Sequence, residues 1–171
     1  MIQGRIRYTV FCAIVLILLA GHTRVWARGT EGNDIMDVVE ESGRFTAFLA
    51  AVRETGLEET LRGKGPFTLF APTDEAFAKL SRATLDGLLK DRALLKRTLL
   101  YHVVAGRVSS PEFLNRRVVR NLAGHGLRAA MRGNTITVEN ASIVSGDLPA
   151  GNGVVHAIDS VLMPTAQRAP R

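Results

Sequence analysis

From Asp34 onward apolar residues recur at helical spacing: Ile35, Val38 and Val39 share one side, with Asp37, Glu40 and Glu41 away from it. Ser42-Gly43 interrupts the pattern. It resumes at Phe45, Phe48, Leu49 and Val52, stops at Gly56, and gains a further turn from Leu57 and Leu61 before Arg62-Gly63-Lys64-Gly65. At Phe67 the period changes to two. Phe67, Leu69 and Ala71 alternate with Thr68 and Phe70, the pattern of a strand with most of both faces buried, and Pro72 stops it. Thr73 is placed to cap the following helix, Asp74 and Glu75 bring negative charge to the positive end of its dipole, and Phe77 and Leu80 recur three apart.

Thr84, Leu85, Leu88 and Leu89 predict a short amphipathic helix. Arg92 to His102 predicts a longer one, mostly buried because Leu94, Leu95, Thr98, Leu99 and Tyr101 cover much of its circumference. From Val103 the texture is β: Val103-Val104, Gly106-Arg107-Val108, Val118-Val119, Leu127 to Met131, Thr135 to Val138, Ile143-Val144, and Val154 to Val161. Arg132-Gly133-Asn134 reads as a tight hairpin turn and Asp147-Leu148-Pro149-Ala150-Gly151 as a loop. Helices first and strands later predict an α+β domain, its helices packed on or around a mainly antiparallel sheet.

The first residues change how composition is read. Arg5 and Arg7, the apolar run Val10 to Ala20, and Val25-Trp26-Ala27 have the order of a secretory leader cut after Ala27. That makes residues 1–27 a signal peptide, 28–33 a linker, 34–164 one domain and 165–171 a flexible tail. Removing the leader takes away Arg5, Arg7 and Arg24 and no acid, so the formal charge of +6 falls to +3. Cys12, the single cysteine, leaves as well. A mature chain without a thiol is neither a disulfide scaffold, a Cys-based zinc site nor a thiol enzyme.

Little in the chain reads as chemistry. Arg62 to Gly65 lacks the spacing of a phosphate loop, and no G-x-S-x-G elbow occurs. His156 and Asp159 stand three apart in a strand, on opposite faces, which is poor geometry for a dyad. His102, His125 and His156 show no metal-ligand spacing. His102 and His156 sit in apolar runs, the setting of a neutral imidazole bonded to a backbone carbonyl. No catalytic, metal or cofactor residue is therefore assigned. Between Arg107 and Arg132 stand Arg107, Arg116, Arg117, Arg120, Arg128 and Arg132 against one acid, Glu112, and Arg117 and Arg120 flank Val118-Val119 as on a solvated strand edge. This run is a candidate site for an anionic partner, an acidic polysaccharide or lipid headgroups. Nucleic acid is not expected, because the chain is read as exported and the run lacks interleaved aromatics.

Three separated stretches carry a resemblance: Phe67-Thr68-Leu69-Phe70-Ala71-Pro72-Thr73-Asp74-Glu75-Ala76-Phe77; Tyr101-His102 before Val103-Val104; and Asn152-Gly153-Val154-Val155-His156-Ala157-Ile158-Asp159-Ser160-Val161-Leu162. In this order they resemble the fasciclin domain family, over about residues 34–164. The resemblance implies a wedge or sandwich of about seven mainly antiparallel strands with several helices at one end and edge. It also implies a secreted, periplasmic or cell-surface adhesion module without enzymatic activity, whose partner is a cell-surface or matrix protein or an acidic polysaccharide, with peripheral membrane association as a further expectation. Integrin-contacting positions of the family fall on Tyr101, His102, Asp147 and Leu148, with Leu148 in place of isoleucine. Phe67, Phe70, Pro72, Thr73, Asp74, Phe77, Asn152, Gly153, His156 and Asp159 become structural motif residues, and His102 with the Thr73-Asp74 corner is expected to tie the middle helix to the first strand. The alternative is a binding protein for a small hydrophobic or anionic ligand between helices and sheet; an exported hydrolase is the third class.

Overall fold

In the computed structural model, which describes residues 33–164, the strand expected at Phe67 forms as β1 (Phe67–Pro72) and lies parallel to β7 (Gly153–Ile158), with Phe67 opposite Gly153 and Pro72 opposite Ile158. The leader, linker residues 28–32 and the tail lie outside the described residues. Both strands are buried on both faces. Leu69, Ala71, Val155 and Ala157 point into a core shared with the helices, while Phe70 and Ile158 point into a second core inside the curved sheet. Alternation therefore makes this strand pair the wall between two hydrophobic clusters.

The sheet continues through β2 (Val103–Ala105), β3 (Val118–Arg120), β4 (Gly126–Arg132), β5 (Thr135–Val138) and β6 (Ala141–Ala150), in the order β2-β1-β7-β6-β5-β4-β3. Every pair except β1 and β7 is antiparallel, as expected. Gly133-Asn134 makes the two-residue β4–β5 turn, with Gly133 at a φ of 61°. The sheet curls until its ends meet at one bridge, Val104 to Asn121, and one bond from the Leu122 N–H to the Val103 carbonyl.

Seven helices are described: α1 (Ile35–Ser42), α2 (Thr46–Thr55), α3 (Glu58–Leu61), α4 (Asp74–Ala78), α5 (Arg82–Lys90), α6 (Arg92–Tyr101) and α7 (Ser110–Arg116). Asp34 caps α1 in a reciprocal box with Asp37, Gly43 ends it in the left-handed conformation, and Thr73, Ser81 and Asp91 cap α4, α5 and α6. Arg62 bonds Asp34, Asp37 and Glu58, pinning α3 to the start of α1.

Three sequence expectations are corrected. α7 interrupts a region read as β from Val103 onward; Pro111 stands in its first turn and Phe113 is fully buried. Leu89 and Leu94, assigned to buried helix faces, are 61% and 36% exposed. Asp147-Leu148-Pro149 belongs to β6, whose register slips between Ile143 and Ser145 and again between Ser145 and Leu148, so a bulged strand replaces the expected loop.

Candidate interaction surface

Tyr101 ends α6 with 4% exposure and His102 follows with none. Both belong to the interior. The His102 Nδ1–H donates to the Thr98 carbonyl at 2.7 Å and its Nε2 accepts the Leu162 N–H at 2.9 Å. That pair of partners fixes the tautomer, since a backbone amide can only donate and a carbonyl only accept. Burial pushes the imidazole down to about 4, against a partial rise from the Thr98 bond. The expected tie to the first strand runs through the His102 carbonyl, which accepts the Phe70 N–H, while the side chain ties α6 to the segment after β7. The Thr73-Asp74 corner has other partners. The Thr73 N–H reaches the Ile158 carbonyl, and the Asp74 carboxylate accepts the Ala47 and Thr46 N–H groups at 2.8 and 3.2 Å. Asp74 thus caps α2, whose own N-cap Phe45 offers no side-chain acceptor.

Asp147 is exposed and holds a φ of 57°, a left-handed conformation that aspartate tolerates better than most residues. Its Oδ1 accepts the Ser110 N–H at 2.9 Å, and its own N–H donates to His156 Nδ1 at 3.1 Å. His156 donates from Nε2 to the Val108 carbonyl at 2.9 Å and stacks on Phe70 with centroids 5.3 Å apart. Burial lowers its pKa, offset in part by the Val108 bond and the Asp147 charge. Ser110, His156 and Asp147 therefore converge, yet in the wrong roles for a triad. Both His156 nitrogens are engaged with backbone groups, so neither is free to take a proton from the Ser110 hydroxyl, and the carboxylate holds the serine amide rather than the imidazole. Leu148 is half-buried and packs on the helical core.

The closing motif has work that the sequence did not disclose. Asn152 Oδ1 accepts the Ile35 N–H at 2.8 Å and its Nδ2 donates to the carbonyls of Leu61 and Gly63, so one amide clasps α1, the end of α3 and the β6–β7 turn. Gly153 lies so close to β1 that a Cβ there would stand 2.1 Å from the Phe67 oxygen. Asp159 accepts the Ser142 N–H and meets Lys79 Nζ at 3.2 Å. Burial would raise its pKa, but these bonds and that of Ser160 leave it below the ordinary value.

The arginine run is divided by the fold. Arg107 donates to the Ala150 carbonyl and Arg116 pairs with Glu112 at 2.6 Å along α7. Arg117, at a φ of 60°, is the exposed joint between α7 and β3. The register Val118 to Arg128, Arg120 to Gly126 and Arg132 to Thr135 puts Arg120, Arg128 and Arg132 on one outward face of β3 and β4. Among the described residues, none of these three makes an ion pair within 4 Å. Where β2 and β3 part beyond their single bridge, a half-open groove of about 410 Å³ runs along the seam beside this face, with Arg116, Arg120, Val118 and Leu122 in its lining. The sequence carried one sign of it, arginines interleaved with valines.

Among the described residues no group of three or more His, Cys, Asp or Glu side chains is placed to hold a metal ion. Protein sll1483 of Synechocystis sp. is 37% identical over 132 residues, covering 76% of this chain and 73% of that protein. Human periostin is 33% identical over 138 residues, which are 80% of this chain and 16% of periostin. A solved fasciclin domain pair from the insect cell adhesion molecule fasciclin I matches with a TM-score of 0.60 at 22% identity, over 71% of this chain and 46% of that one. Residues 43–164 match the sequence profile of the Fasciclin domain, and with the seven-stranded sheet and its helices in place the chain belongs to that family.

Proposed function

We propose that the protein is an exported, non-enzymatic interaction module that holds an acidic polysaccharide of the cell envelope or matrix on the outward face of β3 and β4. The observation that carries this reading is the common face of Arg120, Arg128 and Arg132, three guanidinium groups without a carboxylate partner among the described residues. Their forks match sulfate and carboxylate groups spaced along an extended chain. The leader-like residues 1–27 support export, and the fasciclin pair it resembles comes from a cell adhesion molecule. The engagement of the His156 ring and the Asp147 carboxylate with backbone groups supports a role without catalysis. Asp147 is the exposed member of the four positions that the family resemblance marks for a receptor, which supports it as the place for a protein contact in addition to the polysaccharide face.

Salt elution from a heparin-type column tests the face. Arg120→Gln/Arg128→Gln/Arg132→Gln should elute at clearly lower salt than the native protein, and a control that removes the same charge from Lys90, Arg92 and Lys96 should elute close to native. Equal loss in both would reduce the binding to net charge and sink the proposal.

A further inference from the structure

Among the described residues the curved sheet meets its own other end at the seam between β2 and β3, through the bridge Val104 to Asn121 and the bond from the Leu122 N–H to the Val103 carbonyl. The groove left beside that bridge has a divided lining. Buried Val104 and Val119 form its floor, and Val118 and Leu122, 51% and 37% exposed, stand on its rim. Both charged groups in the lining are arginines, Arg116 and Arg120. Asn121 is the neutral polar side chain there, and it is already engaged: its Nδ2 donates to the Tyr101 carbonyl and its Oδ1 accepts the His125 N–H. A hydroxyl-rich sugar would find few partners on such walls, whereas an alkyl chain would cover exposed valine and leucine. The positive groups select the sign of the head. Arg116 already holds a carboxylate, that of Glu112 on its own helix, and Arg120 is left without one among the described residues. The volume lies within the usual range of roughly 300–1,000 Å³ for small-ligand sites.

We propose that this groove binds a single-chain amphiphile with an anionic head, of the fatty-acid type, its carboxylate on Arg120 and Arg116 and its chain laid over Val104, Val118 and Leu122. The site does not depend on the polysaccharide reading, although Arg120 belongs to both surfaces.

Calorimetry on the purified protein with dodecanoate, below the concentration at which it aggregates, tests the site against acetate and dodecanol. One dodecanoate should bind per chain, at least tenfold tighter than either control, because each lacks one half of the recognition. Val118→Ser/Leu122→Ser removes apolar rim at exposed positions without changing charge. It should weaken dodecanoate about tenfold, leave heparin elution in place and leave the circular dichroism spectrum native. Arg128→Gln/Arg132→Gln should do the reverse, lowering the eluting salt and sparing dodecanoate. Arg116→Gln/Arg120→Gln should weaken dodecanoate by a similar factor. The proposal is overturned by acetate binding as tightly as dodecanoate, by dodecanol matching it, by undiminished binding in the Val118/Leu122 or Arg116/Arg120 variants, or by binding to anionic vesicles with none to monomeric dodecanoate. No heparin retention by the native protein, with its dodecanoate binding intact, would refute the polysaccharide face alone.

Discussion

His102 makes stability depend on pH in a window where few other groups titrate. In the fold its two nitrogens have opposite roles, one donating to Thr98 and one accepting from Leu162, so a second proton would face an N–H donor in a fully buried site. Its pKa falls from the ordinary 6.5 to about 4. Between those values the unfolded chain takes up a proton that the folded chain refuses, so the contribution is complete above pH 6.5 and is lost as pH falls to about 4. The difference corresponds to about 3 kcal/mol, a large share of the roughly 5–15 kcal/mol that holds a domain of this kind together. His156 shifts in the same direction and adds to the same slope. The perturbed carboxyls act at the acid end of this window and below it: Asp37, held down by Arg62, Glu75, held down by Thr73, and Asp159 all lie below their ordinary values, so their stabilisation starts to fall only as the pH reaches those values, 4.5 for Glu75 and 3.8 for the two aspartates, and is lost in stronger acid.

His102→Gln keeps a donor and an acceptor but removes the titrating nitrogen. Urea unfolding followed by circular dichroism at steps from pH 7.5 to 4 should show the native protein more stable by about 2–4 kcal/mol at neutral pH, the range for a broken buried network. That advantage should shrink by about 3 kcal/mol as the pH reaches 4. Two parallel stability curves would refute the reasoning, because they would mean that His102 takes up its proton equally in both states.

Gly153→Ala should cost about 3 kcal/mol or more in urea unfolding, because the new Cβ would meet the Phe67 oxygen at 2.1 Å and neither β1 nor β7 can withdraw from a paired ladder. Asn152→Ala should cost about 2–4 kcal/mol by the same assay, since it strands the Ile35 N–H and the carbonyls of Leu61 and Gly63. A loss below about 1 kcal/mol would show that solvent replaces the clasp. Thr98→Val should be neutral or stabilise by up to about 1 kcal/mol, because the Thr98 hydroxyl is buried without a partner among the described residues; a clear loss in melting temperature would reveal a partner for it.

What the sequence disclosed tracks how local each cause is. The change of period at Phe67, the Thr73 cap and the Gly133-Asn134 turn are set by residues within a few positions of one another, and all three form as read. α7 was illegible because Phe113 is its one fully buried anchor, too short a pattern to show a period, and Pro111 looks like a break when it occupies the first turn. The second half of β6, beyond the Ile143-Val144 pair that read as β, was hidden for a related reason. Gly146, Asp147 and Pro149 are turn formers in isolation, yet here pairing with β7 and the bonds to Ser110 and His156 hold them within a bulged strand, Asp147 in the left-handed conformation. Asp74 shows the limit most clearly. Its charge was read as serving its own helix, while its carboxylate caps α2, 27 and 28 residues away. For His102 and His156 burial followed from apolar neighbours, but the choice between Thr98, Leu162, Val108 and Asp147 as partners is a property of the tertiary fold.

The same distinction separates where variants should act. Asn152, His102, His156 and Asp74 each use polar atoms to join backbone groups of distant segments, which leaves them little capacity for a partner and makes them indispensable to the fold. Arg120, Arg128 and Arg132 make no ion pair among the described residues, and the rim residues Val118 and Leu122 stand exposed at the seam. Their truncation to neutral polar side chains should move stability by no more than about 0.5 kcal/mol, as for surface positions generally. Motif variants should therefore lower stability and bind normally once folded, while seam and face variants should fold normally and bind poorly. A motif variant that lost affinity at full native stability would place the binding surface on the signature itself and reverse this assignment.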